Sequence, residues 1–183
     1  MKEVEVKAKL TDREAVMAKL KALGCVFGPA TTQRDAVYAE KVDSLEVFRG
    51  NKVFLRIRVV DDSKILFTLK KQMANDLDAI EHEAEVSSKE EMEQALLLMG
   101  YKEMIRVNKS RVTTHYNGCE ICIDDVEGLG VFIEMEKLTE EGNSEEIQAE
   151  LFEFLKSLGI KSEDRVFSGY DILALEKLEN QSA

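Results

Sequence analysis

The sequence predicts an α+β fold: a closed antiparallel eight-stranded β-barrel with helices packed on the outside. Three observations carry that expectation. Eight stretches alternate apolar and polar residues at strand period, near 2–10, 33–40, 53–60, 64–71, 79–86, 104–116, 119–126 and 131–138. Asp61-Asp62-Ser63 and Asn117-Gly118 fall between neighbouring stretches as compact hairpin turns, so those neighbours run antiparallel. Few helices accompany the strands, and eight strands are enough for a sheet to close on itself.

The elements follow in order. The first strand sets Val4, Val6, Ala8 and Leu10 against Glu3, Glu5, Lys7 and Lys9. Thr11-Asp12-Arg13-Glu14 reads as a capping box, Val16, Leu20 and Leu23 give the helix behind it an apolar face, and Gly24 stops it. The second strand carries Gln33, Asp35 and Tyr38. In the third, Leu55 and Ile57 oppose Arg56 and Arg58; in the fourth, Ile65, Phe67 and Leu69 oppose Thr68 and Lys70. The fifth sets Glu81, Glu83 and Glu85 against Ile80, Ala84 and Val86. Ser87-Ser88-Lys89-Glu90 opens a second helix, with Met92, Leu96 and Met99 on one side and Gly100 at its end. Lys109 and Arg111 share a face of the sixth strand, and Cys122 and Asp124 oppose Ile121 and Ile123 in the seventh. Glu134 and Glu136 oppose Ile133 and Met135 in the eighth. A third helix runs from Asn143-Ser144 through Leu151 and Leu155 to Gly159, and a short one near 170–178 closes the chain. A shift of 76 residues aligns Glu5 with Glu81, Thr11 with Ser87, Leu20 with Leu96 and Gly24 with Gly100, which suggests two similar halves.

Composition narrows the function classes. The chain has 183 residues, expected to form one domain over 1–183, with 25 basic and 36 acidic side chains and a net charge of −11. Its 44% hydrophobic content excludes a disordered chain, and no run approaches the roughly 18 apolar residues of a membrane span. Met1 to Lys9 lacks the apolar stretch of a secretory signal, so a cytoplasmic location is expected. The net charge argues against nucleic acid or a membrane surface as partner but leaves room for a local basic pocket. Cys119 and Cys122 have C-x-x-C spacing; three apart on a strand, they point to opposite faces and are read as structural, as are His82 on the apolar face of its strand and His115 beside a hairpin.

The charged strand faces point to chemistry. Single alternating strands are ordinary half-solvated strands, but here like charges recur in pairs across many strands, and such pairs repel unless something of opposite sign intervenes. If the helices cover the apolar faces, the charged ones line a tunnel, costly to desolvate unless water, ions or a highly charged ligand fills it. A polyphosphate with a divalent metal asks for both signs at once: carboxylates for the metal, Arg and Lys for phosphate. No glycine-rich phosphate loop occurs, so side chains must supply the site.

Glu3-Val-Glu5-Val-Lys7 resembles the E-x-E-x-K signature of the CYTH superfamily, the triphosphate tunnel metalloenzymes. The resemblance continues through Arg56-x-Arg58, Thr68-x-Lys70, Glu81 to Glu85, Lys109-x-Arg111, Asp124 and Glu134-x-Glu136, and covers about residues 2–175. It is nearest to archaeal-type members labelled class IV adenylyl cyclase. It implies a barrel open at both ends, Mg²⁺ or Mn²⁺ as cofactor, and often a homodimer. Carried over residue by residue, Glu3, Glu5, Asp124, Glu134 and Glu136 would be metal ligands. Lys7, Arg56, Arg58, Lys70, Lys109 and Arg111 would bind triphosphate, with Glu81 and Glu83 as supporting acids. Lys7, Arg58, Lys70 and Glu136 would be catalytic; Lys9 and Glu85 are equally open to a solvated role.

The expected activity is metal-dependent hydrolysis of a triphosphate: ATP, thiamine triphosphate or tripolyphosphate. The alternative is cyclisation of ATP to cyclic AMP and pyrophosphate, as in class IV cyclases. Bacterial members of that class tend to carry a His-Phe pair before the acidic motif, where this sequence has Met1-Lys2, and the family's Ser-Tyr ending has a glycine inserted at Ser168-Gly169-Tyr170. A non-catalytic polyphosphate- or nucleotide-binding module is the third possibility.

Overall fold

The computed structural model describes residues 2–40, 45–50, 53–140 and 142–182. Eight strands make the barrel wall: β1 (Lys2–Lys9), β2 (Thr31–Glu40), β3 (Val53–Val60), β4 (Lys64–Gln72), β5 (Asp78–Glu85), β6 (Tyr101–Tyr116), β7 (Cys119–Val126) and β8 (Gly130–Thr139). Their order around the wall is β5-β4-β3-β2-β6-β7-β8-β1, and β1 pairs back onto β5 to close the ring. Every pairing is antiparallel. The hairpin turns take the expected left-handed backbone, with φ of 48° and 57° at Asp61 and Asp62 and 49° and 75° at Asn117 and Gly118, matching the twist of the strands they join.

The 76-residue echo has a counterpart in this topology. Exchanging β1–β4 with β5–β8 leaves the set of neighbouring strands unchanged, so the barrel has a two-fold arrangement of strands. The closing seam is short: β1 meets β5 only from Lys2 opposite Ile80 to Val4 opposite Asp78. Farther along, β1 pairs instead with the two-residue β9 (Arg165–Val166), through Lys7 and Ala8. Gln148 pins the seam, its side-chain amide donating to the carbonyls of Glu5 (3.0 Å) and Leu77 (3.3 Å).

The helices α1 (Arg13–Ala22), α3 (Lys89–Leu98) and α4 (Ser144–Ser157) cover the outside. Val16 and Leu20 of α1 and Leu151 and Leu155 of α4 bury the outer residues Val6, Ala8, Ile121, Ile123 and Ile133. On the other half, Leu96 of α3 packs on Ala36, Tyr38, Leu55 and Ile57. Truncating a fully buried residue such as Leu20 or Leu155 to alanine costs about 2–5 kcal/mol, which is the scale on which these helices hold the apolar faces outward.

Four local expectations need correction. Asp12, not Thr11, caps α1, its carboxylate accepting from the Ala15 amide at 2.9 Å. Leu23 and Met99 lie past the last turns of their helices and are exposed. His82 is exposed, because it sits on the stretch of β5 that has passed beyond β1. The short α2 (Leu45–Gly50) has no helical periodicity to announce it; Phe48 buries against Val37, Ala39, Phe54 and Ile172, the last from α5 (Tyr170–Ser182).

Candidate active site

Strand parity decides what faces inward. Once Val6 and Ala8 pack under the helices, Glu3, Glu5 and Lys7 must turn into the barrel, and each other strand repeats the division. The result is an interior cavity of about 270 Å³. Among the described residues its wall carries six basic and ten acidic side chains, a density no apolar core would tolerate.

All six cations named from the sequence line this cavity: Lys7, Arg56, Arg58, Lys70, Lys109 and Arg111. So do Glu3, Glu5, Glu81, Glu83, Glu134 and Glu136. Asp124 lies just behind the wall, fully buried, accepting from Lys109 Nζ at 2.9 Å and from Arg111 Nε at 2.7 Å. Lys9 and Glu85 are exposed and do not belong to the cavity wall. Cys119 packs outward under the helices, whereas the Cys122 thiol points inward beside Thr113 and Glu120, so the pair is split across the sheet as parity requires.

Five further ionisable wall residues are not marked by the paired-charge pattern: Asp35, Asp76, Glu120, Tyr170 and Asp171. Two sit on alternating strand faces whose charges do not recur two residues apart. Asp35 shares a face with Gln33, and Glu120 shares one with Cys122 and Asp124. Tyr170 and Asp171 come from the first turn of α5 and have no strand neighbour to mark them.

The cations are held by fixed partners. Arg58 makes two contacts to Asp35, each 2.7 Å, which hold that carboxyl down at about 2 although burial alone would raise it. Lys70 pairs with Glu81, and Arg56 lies 3.5 Å and 3.6 Å from Glu81 and Glu83. Lys7, only 2% exposed, stays charged because Glu5 (3.3 Å) and Glu134 (3.1 Å) outweigh the burial that would neutralise it. Lys109 goes the other way, lowered to about 8 by burial and then by the neighbouring Arg111.

The acids divide into two groups. Glu134 shares its charge with Lys7 and Arg111, which hold it well below the ordinary carboxyl range against the effect of burial. Glu3, Glu5 and Glu136 are raised. Burial and then Glu81 lift Glu3 to about 7; burial and then Glu3, Glu5 and Glu120 lift Glu136 to about 8. Glu5 Oε1 is buried without a hydrogen-bond donor among the described residues, its ion-pair contact with Lys7 lying at 3.3 Å. Carboxylates that push one another toward the neutral form are short of positive charge, and their oxygen donors suit a hard divalent cation. Among the described residues no three metal-ligating side chains are already gathered into a cluster.

One end of the barrel is filled. Ile172 of α5 and Phe48 of α2 bury against Val37 and Phe54, while Tyr170 buries against Val107, Val126 and Phe132. The implied opening at both ends is therefore not what this chain has: α5 stoppers one end. The most exposed wall acids, Glu83 and Glu120, with side chains 40% and 41% exposed, mark the wetter side.

Comparison with known proteins agrees with this architecture. The sequence profile of the CYTH domain matches residues 1–170. A Methanocaldococcus jannaschii protein named "putative adenylate cyclase" is 34% identical over 173 residues, covering 93% of this chain and 97% of its own. A solved protein of Pyrococcus horikoshii superposes with a TM-score of 0.79 at 25% identity, covering 96% of this chain and 99% of that one. A Hippeastrum protein, described as a "putative adenylyl cyclase" with a dominant triphosphatase activity, shares the fold at a TM-score of 0.57 and 20% identity, over 92% of this chain and 91% of that one. With a profile that spans nearly the whole barrel and a relative at that level of identity, the chain belongs to the CYTH domain family.

Proposed function

We propose that this chain is a divalent-metal-dependent enzyme that hydrolyses a triphosphate held inside the barrel. The observation that carries the reading is the opposition of charge within one enclosed cavity. Arg56, Arg58 and Lys70 on β3 and β4 share the cavity with a wall from β1 and β8 where Glu3, Glu5 and Glu136 lack full neutralisation. A phosphate chain would replace the paired carboxylates on Arg56, Arg58, Lys70, Lys109 and Arg111, which then stabilise charge on the transferring and leaving oxygens.

Glu3, Glu5 and Glu136 would hold Mg²⁺ or Mn²⁺. Glu134 and Asp124 would join them only by releasing Lys7, Lys109 or Arg111. When bound, the ion neutralises phosphate oxygens and lowers the pKa of water beside the scissile bond. Lys7 sits between the two groups, held by Glu5 and Glu134, and would reach the phosphate chain from there. With water as attacker the products are a diphosphate and phosphate.

The second reading, cyclisation of ATP, is favoured by the name of the archaeal relative. Hydrolysis is preferred because a triphosphate chain alone satisfies the charged wall. Phe54 and Tyr170 are the aromatic side chains among the described lining residues, and both belong to the stoppered end. Product analysis after incubation with tripolyphosphate, thiamine triphosphate or ATP, each with Mg²⁺ or Mn²⁺, separates the readings. Phosphate release supports hydrolysis, cyclic AMP with pyrophosphate supports cyclisation, and saturable binding without turnover supports the binding module.

A further inference from the structure

The stoppered end of the cavity holds a group that no charge pattern marks. The Tyr170 ring lies beneath two buried ammonium groups, 4.1 Å from Lys7 Nζ and 4.9 Å from Lys109 Nζ, and meets the edge of Phe132 at 5.2 Å between centroids. Lys7 also donates to the Ser168 carbonyl at 3.3 Å, so the segment before α5 is tied to the same lysine. A Cβ at Gly169, between Ser168 and Tyr170, would stand 2.3 Å from Asp171 Oδ1, so a side chain there would have to displace that carboxylate. The Tyr170 hydroxyl is buried and has no hydrogen-bond partner among the described residues.

We propose that Tyr170 is the end stop of the phosphate site, its ring seating Lys7 and Lys109 and its hydroxyl donating to an oxygen of the innermost phosphoryl group. The inference rests on the reading of the cavity as a triphosphate site and adds a binding and positioning residue to it. A mere apolar plug would pack as well with phenylalanine or leucine and would not bury an unpaired hydroxyl, which is costly to leave unmade. A donor beside Lys7, Lys109 and Arg111 is what an incoming phosphate oxygen would find there. Burial, then Glu134 and Asp124, keep the phenol protonated and so able to donate. Ammonium groups over a ring face are also drawn to it electrostatically, which fixes where their N–H bonds point.

The test uses the full chain with Mg²⁺ and tripolyphosphate as probe. Two quantities are read: the tripolyphosphate concentration giving half of the ligand-induced rise in Tm, and KM against kcat for phosphate release. Tyr170→Phe should melt no lower than the parent without ligand but need roughly ten- to hundredfold more tripolyphosphate, the range for a lost hydrogen bond to a charged group. Its kcat should change far less than its KM. Tyr170→Leu, which also removes the ring, should bind more weakly still. Parent-like half-points and KM in Tyr170→Phe would overturn the hydroxyl's role, and equal behaviour of the two variants would overturn the ring's. If the parent itself shows no response to tripolyphosphate, the failure lies with the triphosphate reading of the whole cavity.

Discussion

Arg58 forks onto Asp35, Nε and Nη2 each lying 2.7 Å from a different carboxylate oxygen, with both side chains largely buried. The pair makes any single substitution at Arg58 ambiguous, because it strands a buried negative charge as well as removing a proposed phosphate ligand. Arg58→Ala should therefore cost about 3–5 kcal/mol of stability and also weaken tripolyphosphate binding. Adding Asp35→Asn should restore much of the stability and none of the binding. Urea unfolding of the two variants beside a binding titration checks this; a single variant as stable as the parent would contradict the pairing.

Lys70 offers a cleaner probe. Its partner Glu81 also faces Arg56, so Lys70→Met leaves that carboxylate one cation rather than none. The expected result is a loss of tripolyphosphate affinity of at least about tenfold, the value of one charge-assisted contact, with a smaller loss of stability than at Arg58. Calorimetric titration and a thermal melt on the same preparation measure both.

Glu136 should behave in the opposite way. Burial and the carboxylates of Glu3, Glu5 and Glu120 disfavour its ionised form, so Glu136→Gln should raise Tm in EDTA at pH 8. The same change should cut turnover and shift the Mg²⁺ concentration dependence of the rate to higher values. A variant with parental Mg²⁺ dependence would remove Glu136 from the proposed metal site.

The pH dependence of stability follows from the same groups. Glu136 at about 8 and Glu3 at about 7 hold protons in the folded chain that an unfolded chain releases near 4.5. Metal-free stability should accordingly fall as pH rises from about 4.5 toward 8. Asp35 acts on the acid side: its stabilising contribution is lost as pH drops from 3.8 toward about 2. Thermal melts from pH 3 to 9 in EDTA should give an acid-side maximum (roughly pH 4–6), and Mg²⁺ should raise Tm more at pH 8 than at pH 5.

The cysteines should be silent. All three are free and buried, and burial pushes the Cys122 thiol up to about 12. Ellman's reagent at pH 8 should therefore label none quickly in the native protein and all three after denaturation. Fast labelling of Cys122 would mean that the cavity opens widely in solution.

Much of this architecture was legible because strand alternation is a two-state code: fixing which residues meet the helices fixes which meet the cavity. Glu5, Arg58, Lys70 and Glu136 could be assigned inward from that rule alone. The code fails where its premise does. On β2, Ala36 through Ala39 are all buried, since one face meets α3 and the other the stoppered end, so Asp35 stands on a stretch without a charged rhythm. Tyr170 arrives from a helix after a glycine turn, and contact across 161 residues, as between Lys7 and Ser168, leaves no periodic trace. Glu120 is obscured by the hairpin turn two residues before it. The pairing of Asp124 and Glu134 with cations also follows from cross-strand register rather than from residue type: Arg111 lies opposite Asp124, and Lys7 opposite Glu134.

The brevity of the β1–β5 seam has a consequence for solubility. From His82 to Glu85, no strand among the described residues lies on the side of β5 away from β4, so a row of backbone donors and acceptors faces outward, ready to template against another chain. Glu83 and Glu85 stand on that open border, and negative charges there repel a second copy before its backbone can dock. The acidic run on β5 thereby guards the protein against edge-to-edge aggregation, a duty independent of anything bound within.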